Sequence, residues 1–82
     1  MASSADFKQM NALIAEAVAL CEAAQERFNQ IHDELVRAIE EGRRLTNQSF
    51  DEERKARMAL FDARVRLSTR QRKLRQLTQH GE

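Results

Sequence analysis

Residues 7–38 read FKQMNALIAEAVALCEAAQERFNQIHDELVRA, and stepping along them alternately by three and four residues meets an apolar residue at every stop. This seven-residue period places all of these positions on one side of a helix that packs along its length against another helix. Disordered chains have no reason to keep such a period, so we expect one long helix over about residues 4–41. The stops are Phe7, Met10, Ile14, Ala17, Cys21, Ala24, Phe28, Ile31, Leu35 and Ala38.

The residues that follow predict a break and then a second helix. Gly42 with two arginines behind it is typical of a helix C-terminus. Ser49 and Glu52 have the spacing of a capping box, so the connection should span about 42–49 and the second helix about 50–78. Arg70 occupies a position at which the spacing of this helix predicts an apolar residue. The pattern itself consists of Ala56, Leu60, Ala63, Leu67, Leu74 and Leu77.

Two helices with a short connection predict an all-α fold, an antiparallel two-helix hairpin that forms a single domain over residues 1–82. With residues 50–78 beside about 41–13, Phe7 and Met10 would project past the end of the second helix. Met58, Phe61 and Val65 form another apolar line about 130° around that helix, which one neighbouring helix cannot cover. We therefore expect association, as a dimeric four-helix bundle or coiled-coil assembly, or with a helix or groove of another protein.

Composition excludes several classes of protein. The chain has 82 residues with no Pro, two Gly and one Cys. A single Cys cannot form a disulfide within the chain, and no apolar run approaches the roughly 18 residues that a membrane helix needs. A signal peptide is missing too, so we expect a reduced, cytoplasmic protein that does not act at a membrane.

The residues that could carry chemistry favour structural roles. Cys21 is one of the regularly spaced apolar positions of the first helix, which we call the seam. Free Cys commonly packs at such positions as a small apolar residue. His32 and His80 are too far apart in sequence for the i, i+4 spacing of a helical zinc site. Because no catalytic or nucleotide-binding motif is present either, we expect no enzyme activity, metal, cofactor or small-molecule substrate.

Charge is divided between the two halves of the chain. Residues up to Gly42 hold three bases and eight acids, whereas those from Arg43 onward hold eleven bases and five acids. The bases could pair with the acidic helix or remain solvated, they could bind an acidic protein, or they could bind RNA or DNA. A pI near 8 and the lack of aromatic residues among the densest bases make nucleic acid the least favoured of the three. These bases are Arg64, Arg66, Arg70, Arg72, Lys73 and Arg75.

The resulting hypothesis is a small non-enzymatic protein-binding module, such as an adaptor, an inhibitor or anti-activator, or a secretion-type chaperone. It would act as a homodimer or with another protein, through Phe7, Met10, Met58, Phe61 and Val65. In size and predicted architecture the chain resembles short bacterial or phage helical hairpins that cap a partner, such as chaperones of type III secretion needle subunits. The alternative hypothesis is a nucleic-acid-binding hairpin that uses the basic second helix, and plasmid-encoded hairpin dimers that bind RNA are similar in architecture. Neither resemblance rests on a shared motif.

Overall fold

A computed structural model describes residues 4–80, so both ends of the predicted 1–82 domain lie outside the described residues. Within that range the chain forms two α-helices, α1 (Ser4–Glu40) and α2 (Asn47–His80), which pack along each other. The resulting rod measures 61 × 15 × 14 Å. The prediction of an all-α helical hairpin is therefore confirmed, since the structure shows two helices and, over residues 4–80, no strand.

Local hydrogen bonds explain where each helix ends. After α1, the Arg43 N–H donates to the Ala38 carbonyl at 2.8 Å and the Gly42 N–H to the Ile39 carbonyl at 3.1 Å. This pair of bonds is a Schellman motif, and it requires the left-handed conformation that Gly42 adopts at φ 71°. Before α2, Thr46 Oγ1 accepts a 3.2 Å hydrogen bond from the Ser49 N–H. Thr46 thus caps α2, which begins three residues before the expected position 50.

The two helices run antiparallel, because residues later in α2 lie beside residues earlier in α1. Arg64 lies beside Gln25, whereas Leu77 lies beside Met10 at the open end of the hairpin. The expected register, which ended the overlap near residue 13, was therefore wrong. Because α2 starts earlier and continues to His80, it reaches further along α1 than the apolar pattern alone indicated.

The core between the helices is thin. Of the described residues, only Ala17, Ala56 and Leu60 are buried, while most other seam residues are half-buried. Two of the three are alanines, so the backbones pack closely but remove little apolar area from water. Ordering the backbone costs roughly 1–2 kcal/mol per residue, and such a core offsets that cost poorly.

Candidate interaction surface

Of the seven large apolar side chains that are exposed among the described residues, four lie on α2. Phe61 is 66% exposed and Met58 is 60% exposed, although Leu60 between them in sequence is only 6% exposed. At about 100° of rotation per residue, these exposed positions lie on the side of α2 opposite α1. We call this surface the outer face of α2, and its members are Phe50, Met58, Phe61 and Val65.

The structure places the other two apolar candidates differently. Phe7 and Met10 are half-buried on α1, and Met10 lines a shallow cleft with Lys73, Gln76 and Leu77 of α2. The expectation that Met10 projects past α2 was wrong, because α2 extends to His80 and Leu77 lies beside Met10. Only Met58, Phe61 and Val65 of the predicted apolar set therefore form one exposed surface.

The predicted apolar set omits four exposed residues, Phe50 on α2 and Leu20, Val36 and Ile39 on α1. Phe50 is 51% exposed and precedes Phe61 by eleven residues, a separation of about three helical turns that puts both on one face. Sequence reasoning did not assign Phe50 to this face, because residue 50 was expected to be the first residue of the second helix. On α1, Val36 and Ile39 are also exposed, near the connection. Val36 and Ile39 directly follow the seam residues Leu35 and Ala38. This adjacency was the sequence signal that could have identified them.

Two of the candidate bases make contacts within the hairpin. Arg64 Nη2 donates a 2.6 Å hydrogen bond to Gln25 Oε1, and Arg70 Nη1 donates a 2.7 Å hydrogen bond to the Leu13 carbonyl. Both bonds cross from α2 to α1. Arg70 is half-buried at its seam position and joins the helices there, which explains why a base can replace an apolar residue in the pattern.

The remaining candidate bases face solvent. Between residues 7 and 79, the ion pairs join near neighbours in sequence, Arg43 with Glu41 and Arg54 with Asp51. No acid of α1 in this range pairs with a base of α2, so the two helices do not neutralise each other through direct contacts. These remaining exposed bases of the predicted cluster are Arg66, Arg72, Lys73 and Arg75.

Charge therefore separates the two outer surfaces of the hairpin. Helix α1 holds three bases against seven acids, a net charge of −4, whereas α2 holds nine bases against four acids, a net charge of +5. On α1 the acids lie mainly away from α2, and exposed alanines lie among them. We call this surface the outer face of α1, and its alanines are Ala12, Ala15, Ala19 and Ala23.

The grooves beside the seam hold no constellation typical of catalysis. One open groove of about 300 Å³ has a floor of Ala17, Ala24 and Ala63 and a rim that includes Arg66. Cys21 is half-buried on the opposite side, and the His32 ring stacks on Phe28 with centroids 5.7 Å apart. Among the described side chains, no three His, Cys, Asp or Glu residues are grouped so that they could hold a metal ion.

Comparisons with protein-family models, curated proteins and solved structures gave no match to this chain. Neither described helix contains a stretch that is long and apolar enough to cross a membrane.

Proposed function

We propose that this protein is a small, non-enzymatic protein-binding module that acts through the outer face of α2. The observation that carries the proposal is the exposure of Met58, Phe61 and Val65 together on the side of α2 away from α1. Large apolar side chains that cluster on a surface commonly mark an interface, because covering them removes apolar area from water. An adaptor, an inhibitor or a secretion-type chaperone would use such a face.

The thin core supports the same proposal. With three buried residues among those described, the hairpin gains little stability from its own packing. Covering the outer face of α2 would add the burial that the isolated chain lacks, either in a dimeric four-helix bundle or against a helix of another protein. Association would then stabilise the fold as well as form the complex.

The test is copurification of the tagged protein from its native host after nuclease treatment. Phe61→Asp places a charge in the centre of the face, so it should abolish the stoichiometric protein partner that the wild type retains. Gln48→Asp adds the same charge at an exposed site of α2 outside this face and should retain the partner. Equal recovery by all three proteins would refute the proposal.

A second candidate function is nucleic-acid binding by α2. The observation that favours it is the absence of ion pairs between α1 acids and α2 bases over residues 7–79. Arg66→Glu and Arg72→Glu should then abolish binding to RNA or DNA without unfolding the hairpin, and affinity should fall steeply with salt. An affinity that does not change with salt would exclude this function.

A further inference from the structure

The outer faces of α1 and α2 are complementary to each other in both charge and side-chain size. The outer face of α2 carries large apolar side chains among bases, whereas that of α1 carries alanines among acids. Within one hairpin these faces point in opposite directions and cannot meet. We propose that the outer face of α2 docks on the outer face of α1 of a second copy of this chain, which names the partner of the proposed function and rests on it.

The spacing of residues supports a specific alignment. Four exposed positions on α2 have the same separations as four exposed positions on α1, each 38 residues earlier in the chain. In parallel helices this offset sets both phenylalanines of the outer face of α2 against alanines and two bases against acids, while Met58 meets Leu20 and Val65 meets Arg27. The facing sets are Phe50, Arg54, Phe61 and Arg72 on α2, and Ala12, Glu16, Ala23 and Glu34 on α1.

The same alignment uses nearly the full length of both helices. At an offset of 38, residues 47–78 of α2 lie beside residues 9–40 of α1, so almost no turn of α2 is left unpaired. Arg54 and Arg72 would then approach Glu16 and Glu34 of the neighbouring copy, at two levels along the helix. Each of these pairs is weak alone, but together with the apolar contacts they fix the orientation of the second copy.

A symmetric contact between two α2 helices is disfavoured by charge. Such a contact would bring together two surfaces that each carry nine bases and four acids over the helix. Like charges across an interface cost free energy and select against that pairing. The α1 helix, with a net charge of −4, is the better surface for α2.

Docking of one face on a different face is a heterologous contact. Every added copy then leaves one free α2 face and one free α1 face, so assembly continues into a ring or an open filament instead of stopping at two copies. The wild-type protein should therefore show a mass that rises with concentration beyond twice the 9.5 kDa of the chain. High salt should weaken the assembly because it screens the exposed charges.

The experiment mixes two half-blocked variants of the full chain. Phe61→Asp blocks the α2 face, and Ala23→Arg blocks the α1 face by placing a large base opposite the basic helix. Each variant alone should be monomeric by sedimentation equilibrium with unchanged helical content by circular dichroism. An equal mixture should form a one-to-one complex of twice the chain mass, because one intact face remains on each partner. Gln48→Arg adds a base outside both faces and should assemble as the wild type does.

Three outcomes would overturn the inference: a monomeric mixture, an Ala23→Arg variant that dimerises alone, or a wild-type protein that is monomeric at all concentrations. The second outcome would instead identify a symmetric α2 contact. If any of these results appears while Phe61→Asp still loses a protein partner in the host, the proposed function stands and only the identity of the partner is wrong.

Discussion

The guanidinium of Arg70 on α2 donates a hydrogen bond to the backbone carbonyl of Leu13 on α1, with 2.7 Å between Nη1 and the oxygen. This bond joins two helices that share a thin core. It also engages a base that would otherwise be a candidate binding residue. Arg70 therefore belongs to the hairpin, while the exposed bases around it remain available to a partner.

Removing the Arg70 side chain should lower stability. Arg70→Ala loses both the charged hydrogen bond and the packing of the side-chain stem, at an expected cost of about 1–2 kcal/mol. Arg70→Leu should recover most of that loss, because the position faces the seam and accepts an apolar residue. Thermal unfolding followed by circular dichroism measures both. If Arg70→Ala unfolds at the wild-type temperature, the bond contributes nothing to the fold.

The start of α2 depends on Thr46. Thr46→Ala should destabilise the hairpin by about 1 kcal/mol, because the Ser49 N–H loses its side-chain acceptor. Ser49→Ala keeps that N–H and its bonds to Thr46, so its effect should be within a few tenths of a kcal/mol. Urea unfolding curves of the two variants give the comparison. A larger loss for Ser49→Ala would show instead that Ser49 caps the helix.

The turn after α1 depends on the backbone of Gly42. Gly42→Ala should cost about 1–2 kcal/mol, because a residue with a Cβ is strained at a φ of 71°. Nothing lies within 4 Å of a Cβ built there, so the loss reflects backbone strain and not a collision. Gly42→Asn should cost less, since Asn tolerates this conformation better. Equal stability of all three proteins, measured by urea unfolding, would contradict the described turn.

Leu60 and Phe61 are neighbours in sequence with opposite surroundings. Leu60→Asp puts a charge into the core and should abolish the helical signal of the isolated chain, since a charge buried without a partner is very costly. Phe61→Asp should preserve the helical signal, because the side chain is mostly in water. Far-ultraviolet circular dichroism of the two purified variants distinguishes them. Loss of helix in Phe61→Asp would mean that this face already packs within the hairpin.

Much of the fold could be predicted from sequence, because the apolar period determines which side of each helix is covered. The exposure of Met58, Phe61 and Val65 follows from the same reasoning, since one helix partner covers one stripe. The start of α2 was harder to predict, because Thr46 and Ser49 are both good caps and only the hydrogen bonds distinguish them.

The spacing of the apolar residues does not determine how far one helix is shifted along the other. A stripe of apolar residues fixes which faces meet, but sliding one helix by a turn preserves the apolar match. For that reason Met10 was expected to project, although it lies beside Leu77. The role of Arg70 depends on the same register, because only the folded chain brings its guanidinium within reach of the Leu13 carbonyl.

The central claim is that the outer face of α2 is covered when the protein is at work. Its most direct test uses a Cys21→Ala background with one new thiol, either Met58→Cys on the face or Gln48→Cys outside it. Each variant is treated with a membrane-permeant maleimide, in native host cells and as dilute purified protein. We predict that the thiol at position 58 is protected in cells but reacts freely in dilute solution, whereas that at position 48 reacts in both. Equal reaction at position 58 under the two conditions would contradict the claim.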